Sequence, residues 1–95
     1  MRQVPVLLAV MALCLPFGVR AQDTAAGAAA VKKGGCLICH AVSADKDGPS
    51  FKKSAAKYKG EPAKLQAFLK SGKDKHPVVK SDADLKNIVA YVLSH

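Results

Sequence analysis

The chain has 95 residues, 15 of them Lys or Arg against 7 Asp or Glu, a formal net charge of +8, and only three cysteines. That length allows one small domain and excludes a multidomain enzyme. Three cysteines, two of them only three positions apart, exclude a disulfide framework of the kind that staples small secreted folds, because a bridge closing so short a loop stabilises little.

The first segment reads as a targeting peptide. Met1-Arg2 is a charged start, Val4 to Val19 is almost wholly apolar, and Val19-Arg20-Ala21 offers small residues at the two positions signal peptidase reads. Cleavage after Ala21 is expected, so residues 1–21 are assigned as a signal peptide and residues 22–95 as the mature domain. The rival is a retained membrane anchor, but the apolar run of about 16 residues carries two prolines and falls short of the ~20 a spanning helix needs. Leu13 before Cys14 argues against a lipoprotein. No stable membrane insertion is expected after cleavage.

The mature part is then 74 residues, 95 less 21. A domain that small buries too little apolar surface to be stable alone. Cys14 leaves with the signal, so the staple has to be a metal or a large cofactor. Removing Arg2 and Arg20 from the 15 basic residues leaves 13, all lysines, against 7 acids. The lysines are scattered, arginine is absent and the chain is exported. Nucleic acid is therefore excluded in favour of a solvated surface that steers toward acidic partners.

The mature elements follow in chain order. Residues 22–30 are small and alanine-rich. Thr24 is placed to cap a helix to about Lys33, ended by Gly34-Gly35. Cys36-Leu37-Ile38-Cys39-His40 comes next, then a polar loop to Gly48 and a Gly48-Pro49 turn. Ser50 can cap a second helix through Tyr58, broken by Lys59-Gly60. Pro62 suits the first turn of a third helix, whose Leu65, Phe68 and Leu69 share a face, with Gly72 as terminator. Residues 73–80 form a loop holding His76-Pro77. Ser81-Asp82-Ala83-Asp84 resembles a capping box and opens the clearest helix, with Leu85, Ile88, Val89, Val92 and Leu93 at the spacing of a buried face. No segment reads as a strand. The expectation is an all-α domain in which the first and last helices cross.

Two cysteines separated by two residues and followed at once by histidine carry the chemistry. The thiols of Cys36 and Cys39 can add to the two vinyl groups of a porphyrin, and His40 then lies beneath the plane to offer a ring nitrogen to iron. Export agrees with this, because such attachment happens outside the cytoplasm. A zinc site needs four ligands, usually in two close pairs, and beyond this motif only the unpaired His76 and His95 remain. A thioredoxin-like dithiol needs strands. One covalently attached haem c is the cofactor expected.

Those residues resemble a family. The alanine-rich helix, Cys36 to His40, Gly48-Pro49, Phe51, the stretch from Ala55 to Gly60 and the helix from Asp84 to Leu93 are similar, in that order, to the short bacterial class I cytochromes c of the c551 kind. The resemblance implies a small helical fold wrapped around the haem. It implies Cys36 and Cys39 as attachment points and His40 as proximal iron ligand, with the Pro49 carbonyl accepting the other ring N–H of His40. It also implies Val31 and Tyr91 where the first and last helices cross.

The sequence departs from that family at the sixth ligand, a methionine in the loop before the last helix. The mature chain has no methionine, since Met1 and Met11 are both in the signal. At the matching place stands His76, followed by Pro77. His76 is expected as distal ligand in a two-histidine site. The alternatives are an open iron, a lysine from Lys73, Lys75 or Lys80, or His95 if the C-terminus folds back. Two filled axial positions leave no place for a substrate. The chain is therefore expected to be no enzyme but a periplasmic, monomeric one-electron carrier meeting redox donors and acceptors through acidic patches. The rival is a binder or sensor of nitric oxide, carbon monoxide or oxygen at an open distal site. A peroxidase would need distal acid–base groups beyond His76.

Overall fold

The computed structural model describes residues 21–95. The expected signal peptide, residues 1–21, lies outside them apart from Ala21. Four α-helices follow one another, α1 (Ala21–Lys33), α2 (Phe51–Lys57), α3 (Pro62–Ser71) and α4 (Asp82–Leu93). Two short 3₁₀ turns, Cys36–Ile38 and Lys73–Lys75, lie between α1 and α2 and between α3 and α4. The fold is all-α, as the sequence predicts. Among the described residues no helix is long and apolar enough to cross a membrane.

Local chemistry explains most of the boundaries. Ser50 Oγ accepts the Lys53 N–H at 3.1 Å and starts α2, and Ser81 Oγ accepts the Asp84 N–H at 3.2 Å and starts α4. Pro62 occupies the first turn of α3, where its missing N–H costs nothing. Gly72 ends α3 at φ 64°, a left-handed conformation that glycine adopts without a side-chain clash. One expected boundary needs correction. The chain is already helical at Ala21, so Thr24 lies within α1 rather than capping it. The run of alanines favours continuing the helix in both directions.

The core is one cluster of Ala30 and Val31 from α1, Phe51 from α2, Leu65 and Leu69 from α3, and Leu85, Ile88, Val89 and Val92 from α4. The buried face expected of α4 is the face observed, except that Leu93 is only half-buried. Helices α1 and α4 make the most extensive pairing. They are in tight contact at Gly27, where a Cβ would overlap the carbonyl oxygen of Asn87 and lie 2.5 Å from Tyr91 Cβ. Tyr91 lies half-buried at this contact, and Val31, four residues further along α1, is 1% exposed. The crossing leaves α2, α3, the first 3₁₀ turn and the His76 loop to wall a space on one side of α4.

Candidate haem site

That space is an open cavity, about 720 Å³ when the solvent in front of it is included. Its apolar wall comes from every helix: Val31, Phe51, Leu65, Phe68, Leu69, Ile88 and Val92. The polar groups on its lining include Cys36, His40 and His76. A concave, mostly apolar space with few polar groups is the form of a cofactor site.

The proximal side is built on the turn after α1. Gly35, at φ 72°, turns the chain into the 3₁₀ turn Cys36–Ile38, and the N–H groups of Cys39 and His40 both donate to Cys36 O. Cys36 lines the cavity and is half-buried, whereas Cys39 is exposed and outside the lining. Burial pushes the Cys36 thiol above its ordinary value, with a smaller opposing effect from a backbone hydrogen bond.

His40 is fixed from three directions. Its Nδ1–H donates to the Pro49 carbonyl at 2.6 Å, which assigns the proton to Nδ1 and leaves the Nε2 lone pair free. Its ring stacks on Phe51, with centroids 5.5 Å apart and planes inclined by 23°. On a third side it packs so closely on Gly48 that a Cβ there would overlap its Cε1 and lie 2.7 Å from Nδ1. The sequence marks Gly48-Pro49 only as a turn, but the close ring approach is what requires glycine.

The loop behind Pro49 is clamped in turn. Asp45 Oδ1 accepts the Ser50 N–H at 3.0 Å, and Asp45 Oδ2 pairs with Lys53 Nζ. Lys46 Nζ reaches back to Leu37 O at 3.0 Å. The hydrogen bond from Lys53, and after it the one from Ser50, holds the Asp45 carboxyl below its ordinary value. Sequence reading did not single out Asp45, Ser50 or Lys53 for the site. Their only visible trace was the Ser50 cap.

His76 reaches the same cavity from the opposite end of the chain. It is half-buried against Phe68, with ring centroids 5.0 Å apart. Its Nδ1–H donates to Pro77 O at 2.9 Å, again leaving Nε2 free. Its ring centroid lies 6.2 Å from that of His40, with planes inclined by 44°. The segment leading to it is strained. Asp74 (φ 55°) and Lys75 (φ 62°) are consecutive non-glycine residues in the left-handed region. Val79 N–H donates to Leu69 O at 3.0 Å and ties the following residues to α3. Lys73, Lys75 and Lys80 are exposed and do not line the cavity. His95 is exposed as well, yet not simply solvated. Its ring packs edge-on to Tyr91 at 4.8 Å and parallel to Phe51 at 6.3 Å.

The residues fit a c-type haem. Two thiols lie three positions apart, an imidazole with a free Nε2 follows them, and an apolar cavity with a second such imidazole adjoins them. Comparison with known proteins agrees. The family model described as cytochrome c oxidase, cbb3-type, subunit III matches residues 22–92. The chain is 35% identical over 74 residues to cytochrome c-551 of Azotobacter vinelandii, covering 67% of this chain and 90% of that protein. It is likewise 35% identical over 74 residues to cytochrome c2 of Rubrivivax gelatinosus, covering 64% and 87%. The crystal structure of the class 1 cytochrome MtoD from Sideroxydans lithotrophicus ES-1 superposes with a TM-score of 0.69 at 33% identity. That match covers 76% of this chain and 95% of that one.

The chain belongs to the small bacterial class I c-type cytochromes related to c551 and c2. Membership makes it a periplasmic electron carrier rather than an enzyme, and it implies a covalently bound haem c.

Proposed function

We propose that the chain carries single electrons between periplasmic redox proteins on one haem c, held by Cys36 and Cys39 and closed on both faces by His40 and His76. The haem, when bound, supplies a one-electron couple at its iron. The chain's own residues do the rest. Pro49 orients His40 by holding its Nδ1 proton, and Pro77 O does the same for His76. The apolar wall would exclude water from around the cofactor, and with both His40 and His76 holding the iron no place would be left for a substrate.

The observation that carries this reading is the relation between the two imidazoles. Each has its Nδ1 engaged by a backbone carbonyl and its Nε2 free, and their centroids are 6.2 Å apart. Imidazole nitrogens bind a metal at ~2 Å. Two imidazoles holding one ion between them would therefore have centroids about 6 Å apart. The mature chain offers no methionine as a competitor. Filling that place with histidine instead lowers the potential relative to Met/His relatives.

The partners follow from charge. A surface carrying 13 lysines and no arginine after removal of residues 1–21 suits brief, salt-sensitive encounters with acidic patches on a donor and an acceptor. The protein works as a monomer in this reading. The test is an intact mass and a pair of absorption spectra of the exported protein. One haem surviving denaturation, with a low-spin ferrous spectrum unmoved by carbon monoxide, is expected. A mature protein without covalent haem would overturn the attachment, and a carbon monoxide response would overturn the closed site.

A second reading, a binder or sensor of nitric oxide, carbon monoxide or oxygen, has one observation in its favour. Asp74 and Lys75 hold left-handed conformations just before His76, and such strain makes a ligand loop easier to displace. Carbon monoxide binding by the wild type is the result that selects it.

A further inference from the structure

We propose that Asp45 is a positioning residue that sets the electron-donating strength of His40, acting through the single peptide group between Pro49 and Ser50. The inference rests on the reading of His40 as an iron ligand. The oxygen of that peptide, Pro49 O, accepts the His40 Nδ1–H at 2.6 Å. The N–H of the same peptide, on Ser50, donates to Asp45 Oδ1 at 3.0 Å. Carboxylate, amide and imidazole are thus joined in series, and both ends of one amide are in use.

An amide is a conjugated unit. An anion bonded to its N–H pushes electron density toward its oxygen, and hydrogen bonds in a chain polarise one another. A more negative Pro49 oxygen draws harder on the Nδ1 proton and leaves Nε2 a stronger donor, as a carboxylate does when it bonds directly to a ligating histidine. Ser50 is only 3% exposed, so this coupling is poorly screened where it passes through the amide. Asp45 is available for the role. Lys53, then the Ser50 N–H, holds its carboxyl below the ordinary value, so it is charged near neutrality. Lys53 pairs with the other carboxylate oxygen and competes for its charge, which makes the pair a means of tuning. The backbone of Lys53 is held beside the loop, because its N–H caps onto Ser50 Oγ at 3.1 Å.

Asp45→Asn removes the charge and with it the Lys53 pair, but keeps the bond in the series, because an asparagine oxygen can still accept from Ser50. A stronger donor favours oxidised iron. In the holoprotein, Asp45→Asn is therefore expected to raise the reduction potential by more than Asp47→Asn does. Asp47→Asn removes an equal charge from the same loop but lies outside this series of bonds. Asp45→Asn is also expected to shift the NMR resonance of the His40 Nδ1 proton. Lys53→Gln, which frees the carboxylate, should move both readings the other way, and it serves if Asp45→Asn folds poorly. A Nδ1 proton resonance that neither substitution moves overturns the proposal, as do equal potential shifts from Asp45→Asn and Asp47→Asn. Failure of the underlying reading would look different. The His40 ring of the wild type would then lack haem-induced shifts before any variant was made.

Discussion

Gly27 of α1 and Asn87 of α4 meet backbone to backbone, so closely that any Cβ on Gly27 would overlap the Asn87 carbonyl oxygen. This contact sets the separation of the two helices whose residues Val31, Ile88 and Val92 line the haem cavity. Gly27→Ala is a fair test of it. Helix propensity favours alanine by about 0.8–1.0 kcal/mol, whereas overpacking costs about 1–3 kcal/mol and neither backbone can yield locally. The clash should win. Thermal unfolding of the holoprotein is expected to show a lower Tm, and an unchanged or higher Tm would mean the helices can slide apart freely.

Ile88 serves two surfaces, the core cluster and the cavity wall. At 5% exposed it has little room for neighbours to collapse into the gap. Ile88→Ala should cost about 2–5 kcal/mol in denaturant unfolding of the holoprotein. A loss under about 1 kcal/mol would show that the cofactor or α3 fills the space.

Much of this was legible in the sequence because it is local. The caps at Ser50 and Ser81, Pro62 in its first turn, Gly72 as a terminator and the apolar face of α4 all depend on neighbours within a few positions. So does the motif from Cys36 to His40. What escaped depends on chain segments meeting in space. Gly48 is glycine because the His40 ring lies against it. Asp45 matters because its loop returns to Ser50. His95 packs on Phe51 because α4 ends beside α2. The start of α1 differs from the expected one for another reason: Thr24 has a capping side chain, but the alanines around it extend the helix past it.

The thiols should differ in consequence. Cys36 lines the cavity, while Cys39 is exposed beyond its lining. Cys36→Ala and Cys39→Ala are each expected to leave a single-bonded haem at reduced yield, with the greater loss for Cys36. The double change should abolish covalent attachment. Intact mass after denaturation reads all three, and a covalent haem in the double variant would place the attachment elsewhere.

Acid should loosen the Asp45 clamp. Hydrogen bonds from Lys53 first and Ser50 second lower this carboxyl below its ordinary 3.8. A group depressed in the folded state contributes stability that is fully present above its unfolded value and is lost as pH falls through the folded one. The contribution should therefore hold at neutral pH and disappear only below about pH 4. The protection of the Ser50 amide against hydrogen exchange, taken relative to the intrinsic rate at each pH, is expected to fall in that acid range in the wild type. In Asp45→Asn the acid-dependent step should be absent, and its persistence there would assign the step to another group.

His76 carries the sharpest test. Its ring is held by Phe68 on one side and by its own bond to Pro77 O, while the residues just before it, Asp74 and Lys75, are in left-handed conformations. A bond from His76 to iron would supply what keeps that turn in place, since strained turns persist only when their surroundings hold them. Loss of the ligand should therefore act twice. His76→Ala is expected to open the iron to carbon monoxide and to lower the thermal stability of the holoprotein. The strain offers a second, independent reading. Lys75→Gly, which relieves one left-handed residue at no steric cost, should raise stability without changing the spectrum. His76→Met should raise the potential and bring back the methionine–iron band of the relatives, if the thioether reaches the metal from the same turn. If His76→Ala leaves the spectrum and the carbon monoxide response as they were, His76 is not a ligand. An iron already open in the wild type then becomes the better account, because Lys73, Lys75 and Lys80 all lie outside the cavity.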